Sequence, residues 1–444
     1  MRIISLTPFF GKLYEKVGFK WLLHFISDKL DLSQYGGRRG TSINHYLIDF
    51  ITFILYNQDL KEPLAILAAM VDYKKAFNRQ NHGILITLLG DMGVPGWLLN
   101  IVVGFLKERE LILTYRGAQS GKKEMPGGGP QGTVLGMFLF IILINSVGFE
   151  NQNREIGDKI TQAHNAHKVI EKMHAKYVDD LTVAEAFKMK SVVAEEKEDQ
   201  LRRPVNFHQR TEHVLKNSCS KVSDMLKKIE DHANSNEMVI NKKKTKVMLF
   251  NTSTKYDCQP RLQIKDEVIE VVNKMKLLGV IISEDLRWHE NTNFITNKAL
   301  SRIWILRRLK NMGASRRMLI DTFYKQIRTV VEFGAVVWNA GLTLENIAQI
   351  ERVPKSALWV ILGSNYRSYE DACEELEMKT LAERRKDLCI KFAKKASNHP
   401  VHQAWFIRNP TDNTTRTKKP TYKPACTRTD RFRKSAIPYL TKTF

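Results

Sequence analysis

With 444 residues, the chain is long enough for a substantial core and for two or three domains. Its 70 Lys and Arg against 47 Asp and Glu leave a formal charge of +23, which points to a polyanionic partner, nucleic acid first. Five scattered cysteines without a CxxC pair argue against a zinc module or a disulfide framework, and no apolar run is long enough to span a bilayer. A soluble chain in a reducing, intracellular setting is expected.

Apolar residues recur at helical spacing over 9–26, and again over 41–58 after the break Gly36-Gly37-Arg38-Arg39-Gly40. The short run Leu67–Val71 predicts a buried strand that ends on Asp72. Helical periodicity returns over 81–107, interrupted at Gly93–Gly96, and Leu111–Tyr115 predicts a strand. A Gly-rich segment, 125–132, opens into a helix to about Asn145. Lys176–Ala184 predicts a hairpin with Asp179-Asp180 at its tight turn. The stretch 187–213 is charged and weakly periodic, an excursion from the core. A helix at 214–234, a strand at 247–250 and a strand pair between 262 and 282 follow. Beyond 290 the pattern turns helical and basic, over 301–308, 316–331, 344–361 and 369–396. From about 397 a flexible basic tail is expected, because 408–444 carry ten Lys or Arg against two Asp or Glu.

An acid at a strand end and two acids in a distant hairpin turn are what two-metal phosphoryl transfer requires: carboxylates converging on two divalent cations. An Asp-Asp pair alone is usually a solvated turn. Order and context carry the reading further. Val71-Asp72-Tyr73-Lys74-Lys75-Ala76-Phe77-Asn78, Gly128-Gly129-Pro130-Gln131-Gly132-Thr133-Val134-Leu135-Gly136, Tyr177-Val178-Asp179-Asp180 and Asn241–Lys246 follow one another. Lys276–Ile282 comes after them, and Arg2–Thr7 and Gln34–Arg38 precede them. This series resembles the seven motifs of the reverse transcriptases of non-LTR (LINE-type) retrotransposons, in order, over roughly residues 1–290.

The resemblance implies an α+β right-hand polymerase fold. Partial fingers would occupy 1–66, and a palm with fingers elements and the charged insertion 67–285. A helical thumb and connection would occupy 286–396, and the basic, partly disordered tail 397–444. It implies an RNA-directed DNA polymerase that extends a DNA primer on an RNA template with dNTPs and two Mg²⁺ or Mn²⁺ ions. Asp72 and Asp179 would be the metal ligands, helped by the Tyr73 backbone carbonyl, with Asp180 beside them. Phe77 would be the aromatic gate that rejects a ribose 2′-hydroxyl. Gln131 and Gly132 would line the nucleotide pocket, Arg38 and Arg2 would meet the triphosphate, and Lys244 would neutralise or protonate the leaving pyrophosphate. Arg302, Arg307, Arg308, Arg316 and Arg317 would grip the template–primer backbone.

Four positions depart from the family pattern without removing a ligand: Lys74, Asn78, Gly129 and Val178. Gly37 also stands where relatives prefer an aromatic. The resemblance implies work in the nucleus, though no signal for it is found, and no obligate protein partner is expected. Elements of this class also encode an endonuclease and the chain opens within the fingers, so a truncated copy is expected. The alternative is an inactive or domesticated polymerase-like RNA-binding protein; a group II intron maturase-like protein is a third reading.

Overall fold

The computed structural model describes residues 4–125, 127–147, 169–188, 220–252, 260–409, 421–423 and 425–444. Arg2 and nearly all of the charged excursion at 187–213 lie outside them.

The centre is a mixed sheet of five strands. β1 (Ala65–Val71) runs antiparallel to β3 (Asp180–Phe187) on one side and to β4 (Lys246–Phe250) on the other. β2 (Lys172–Tyr177) pairs with β3, and β5 (Glu270–Val271) lies parallel to β4, giving the order β5-β4-β1-β3-β2. β1 is buried along its whole length, so it reads as a continuous apolar run. Its side chains alternate between two cores. Ile66, Ala68 and Met70 join one, while Leu67, Ala69 and Val71 join the other.

The first core is filled by α2 (Ile43–Gln58), buried on nearly every position, and by the helices that follow the sheet. The second lies under α5 (Val134–Asn145) and α6 (Ser220–Ser235). α5 is apolar all round because it also faces a third core, made by α1 (Phe9–Ile26), α3 (His82–Asp91) and α4 (Gly96–Leu106). A second hairpin, β6 (Lys274–Leu277) with β7 (Val280–Ser283), leads into the helical part.

That part comprises α7 (His289–Leu300), α8 (Ile303–Asn311), α9 (Arg316–Thr322), α10 (Thr329–Glu332), α11 (Ala335–Trp338), α12 (Leu344–Leu362), α13 (Tyr369–Glu375) and α14 (Leu381–Ala396). A π-helical stretch, Phe323–Arg328, links α9 to α10, and Arg302 donates to the carbonyl of Gln326 within it at 2.5 Å. Among the described residues, no helix is long and apolar enough to cross a membrane.

Three sequence expectations change. The strand at 111–115 is instead two short pairings, Glu110–Leu111 with Lys123–Glu124 and Thr114–Tyr115 with Ala118–Gln119. Arg116 and Gly117, at φ 48° and 84°, make the second a tight hairpin. The helix at 369–396 is two, because Thr380 and Glu383 form a capping box that starts a new helix.

The basic tail is also corrected. Residues 425–444 fold into α15 (Asp430–Arg433) and α16 (Ala436–Thr443), with Phe432, Ile437 and Leu440 in the first core. Asp59, at the end of α2, accepts from the Arg428 and Thr429 amides and the Thr429 hydroxyl at 2.6–2.8 Å. Upstream, Trp405 donates to Asp49 at 3.2 Å and the His402 ring packs at a tilt against His45, both partners lying on α2. Composition hid this, since the apolar residues are few but a prepared surface receives them.

Candidate active site

β1 delivers Asp72 one step beyond its last paired residue, where Val71 faces Leu181. Tyr177 pairs with Asp180, so Val178 and Asp179 form a two-residue turn and Asp180 is the first residue of β3. Continuing the β1–β3 register by one residue sets Asp72 against Asp180, and both line one open groove of about 410 Å³. Asp179, the turn residue before Asp180, is not among the residues that line that groove. Val178 takes φ 58°, unusual for a β-branched residue.

The backbone of Asp72 is held by the segment that precedes β4. The Asp72 amide donates to the buried Thr245 hydroxyl at 3.3 Å, and its carbonyl accepts from the Asn241 amide at 2.7 Å. Tyr73 bridges Ile240 between that bond and the one from the Lys74 amide to Val239, which leaves the Tyr73 carbonyl out of the pairing. Lys244 places its ammonium 3.8 Å from Asp72 Oδ2, an oxygen that is itself buried and has no hydrogen-bond partner.

The same groove is also lined by lysines. Lys243, Lys244 and Lys246 come from the segment entering β4, and Lys274 and Lys276 from β6. Some are balanced locally: Lys246 pairs with Glu270, Lys274 with Glu290 at 3.0 Å, and Lys276 lies over the Phe294 ring. The sequence reading named only Lys244. The run Lys242–Lys246 and the alternation Lys274, Lys276 were the available signals.

The Gly-rich loop docks on the turn that carries Phe77. The Gly129 amide donates to the Phe77 carbonyl at 2.7 Å and the Gly128 amide to the Gln80 carbonyl at 2.9 Å. Gly128 has φ 84°, and a Cβ there would lie 3.0 Å from the backbone of Phe77 and Asn78. Phe77 is half-buried against Phe140, with ring centroids 4.9 Å apart. Gln131 is half-buried, its carbonyl accepting from the Ser5 amide, and Gly132 follows at φ 101° before Thr133 caps α5. Phe77 and Gln131 are therefore carried by two segments held against each other.

Arg38 is placed differently from its expected role. Its guanidinium turns back to the carbonyls of Asp31 and Leu32, at 3.3 and 3.1 Å, and burial lowers its pKa against the pull of Asp31. Position 37 favours glycine: φ is 69° and a Cβ would meet Ile141 Cδ1 at 2.2 Å, so a larger residue there would be strained.

Sequence reasoning missed the support beneath the hairpin. Lys176 is fully buried, 2.7 Å from Asp31, and donates to the carbonyl of Val147 at 2.9 Å, near the C-terminal end of α5. Burial lowers the pKa of Lys176 while Asp31 opposes the shift; for Asp31, burial pulls upward but Lys176 and Ser33 bring it below the ordinary value.

Of the five arginines expected to grip nucleic acid, two are engaged within the chain. Arg302 caps the π-helical carbonyl of Gln326, and Arg316 pairs with Glu375 at 2.7 Å. Arg307, Arg308 and Arg317 are exposed and make no ion pair among the described residues.

Residues 1–282 match the reverse transcriptase (RNA-dependent DNA polymerase) family, and the chain belongs to it. Over 90% of its length it is 23% identical to the RNA-directed DNA polymerase from mobile element jockey of Drosophila funebris. Over 82% it is 21% identical to the probable RNA-directed DNA polymerase from transposon X-element of Drosophila melanogaster. The chain spans 40% and 36% of these two relatives. Their names bear out the resemblance to non-LTR retrotransposon enzymes. Among solved structures, telomerase from Candida tropicalis in complex with a TWJ fragment of telomeric RNA aligns over 88% of this chain and 55% of that one. The identity is 12% and the TM-score 0.36.

Proposed function

We propose that this chain extends a DNA 3′-hydroxyl on an RNA template, with Asp72, Asp179 and Asp180 as its reactive centre. One observation carries the reading: the acid just after β1 and the acid that begins β3 share a groove that lysines also line.

The acids suit divalent cations. Asp72 Oδ2 is a buried oxygen with no hydrogen-bond donor, facing a cation already in the form of Lys244. Among the described residues no three His, Cys, Asp or Glu side chains gather as a metal cage. Mg²⁺ is ordinarily held by one or two carboxylates together with substrate phosphates, so such a cage is not required. Asp72 and Asp179 would hold the ions, with the Tyr73 carbonyl, and Asp180 beside them. Bound there, two Mg²⁺ or Mn²⁺ would activate the 3′-hydroxyl and stabilise the leaving pyrophosphate.

The protein's own groups do the rest. The Phe77 ring limits space at the sugar, and the Gln131–Gly132 turn brings backbone close to the nucleotide. Lys244 stands where it can neutralise or protonate the leaving group. Lys243, Lys246, Lys274 and Lys276 attract the nucleic-acid backbone, as do Arg307, Arg308 and Arg317. In this reading 1–66 are fingers, 67–285 palm and 286–396 thumb, and the work is done in the nucleus.

The purified chain, given an RNA template, a DNA primer, dNTPs and Mg²⁺, extends the primer. Asp72→Asn and Asp179→Asn abolish extension and leave RNA binding intact. Binding without extension by the unaltered chain would turn the assignment toward an RNA-binding protein.

A further inference from the structure

We propose that Gln34 is a positioning residue for the hairpin that carries Asp179, acting through the backbone of Val178. The inference rests on the polymerase reading for its kinetic part and on geometry alone for the rest.

Val178 is the first residue of the turn, and its φ of 58° puts a β-branched side chain in the left-handed region. Chains leave that region unless something holds them there. The fully buried Gln34 side chain supplies the hold. Its Oε1 accepts from the Val178 amide at 3.0 Å and from the Gly36 amide at 2.9 Å, and two donors at one end fix which end is oxygen.

Gln34 is itself fixed to the strand below the turn. The Tyr35 amide donates to the Lys176 carbonyl at 2.8 Å and the Lys176 amide to the Ser33 carbonyl at 2.9 Å, a parallel bridge along the free edge of β2. The buried Asp31–Lys176 pair fastens the same two segments a second time. Close approach is possible only because residue 36 is glycine, where a Cβ would lie 2.6 Å from Val178 Cγ2 and 2.7 Å from its nitrogen.

Without the acceptor, the Val178 amide loses its partner and the turn relaxes toward negative φ. Asp179 and Asp180 then rotate away from Asp72. Misplacement of reacting groups by about 1 Å costs roughly a hundredfold in rate.

The test uses the full chain with Gln34→Met, which keeps the length and removes the acceptor. Gln34→Asn, which withdraws the acceptor but stays polar, serves as a second variant should the first fail to fold. Hydrogen exchange at Val178 should quicken roughly tenfold, the loss of one hydrogen bond. In primer extension, kcat should fall by about ten- to a hundredfold, while dNTP KM and template–primer affinity stay within about twofold. In a Val178→Gly background, where positive φ carries no penalty, the same Gln34 substitution should cost much less. Unchanged exchange at Val178, a loss confined to KM, or strictly additive effects would overturn the proposal. A chain that never extends a primer refutes the polymerase reading, and the exchange measurement still decides the clamp.

Discussion

The ammonium of Lys244 lies 3.8 Å from Asp72 Oδ2, and both residues line the same groove. The basic residue expected to serve the leaving group thus also stands guard over the first acid. The Lys244 side chain is 69% exposed, so the attraction is weak and screened. Lys244→Met should lower the Mg²⁺ concentration for half-maximal extension by no more than about fivefold, as an exposed pair allows. The same variant should lower kcat roughly a hundredfold if Lys244 protonates the leaving group. A metal titration at saturating nucleotide separates the two effects, and an unchanged kcat would remove Lys244 from the chemistry.

Phe77→Ala should admit ribonucleotides. Removing a steric block of this size should raise the rNTP to dNTP ratio of kcat/KM by roughly a hundredfold. The ring also packs on Phe140, so the variant should lose about 2 kcal/mol of stability. Single-nucleotide incorporation with both substrate classes measures the first effect and denaturant unfolding the second.

Glu185 should make the fold sensitive to pH. It is buried on β3, and burial lifts its pKa from 4.5 to about 7; the Val222 amide, 2.8 Å away, and Lys221 pull the other way, while Asp224 adds to the rise. A folded-state pKa above the unfolded one means that the folded form binds the proton more tightly. The stabilisation is therefore fully present below pH 4.5 and lost as pH rises through 7. The difference amounts to about 3 kcal/mol at most. Glu185→Gln should flatten the fall in Tm between pH 5 and 8, and an equally steep profile in the variant would count against this assignment.

The arginines of the helical part should divide into two groups. Arg307→Gln, Arg308→Gln and Arg317→Gln should weaken RNA binding, and each should reduce the salt slope by about one, as expected when one phosphate is no longer neutralised. Arg302→Gln and Arg316→Gln should instead lower Tm, because their guanidinium groups serve Gln326 and Glu375. Binding isotherms at several salt concentrations, read beside melting curves, distinguish the groups.

Asp59→Ala should detach the last helices. The carboxylate accepts three hydrogen bonds, and removing it should cost about 2–3 kcal/mol. Limited proteolysis should then cleave near Arg428 at a protease concentration that leaves the parent chain intact.

The reactive groups were largely legible because they sit in short contiguous runs. Asp72 follows an uninterrupted apolar strand, and Asp179-Asp180 falls between two alternating stretches. Both signals are local. Gln34 was visible as part of a motif, but its partner is Val178, far along the chain, and no periodicity encodes that bond. The lysines of β6 were visible as an alternation beside a motif, but their place in the groove was not, because β6 joins it only through tertiary packing. Thr380 and Glu383 are the opposite case, a local signal overlooked because the helical period continues across it. Residues 425–444 were misjudged on composition, which weighs charges and ignores where Phe432 and Leu440 find a receiving surface.

The seating of residues 425–444 on α2 also sets an order of events during synthesis. α2 leaves the ribosome long before residues 425–444, which pack in the same core. A nascent chain therefore carries an unsealed apolar helix until residues 425–444 have been made, and pairings so distant in sequence close slowly. Chaperone occupancy during that interval, and sensitivity to a stop codon that removes residues 425–444, are built into the topology.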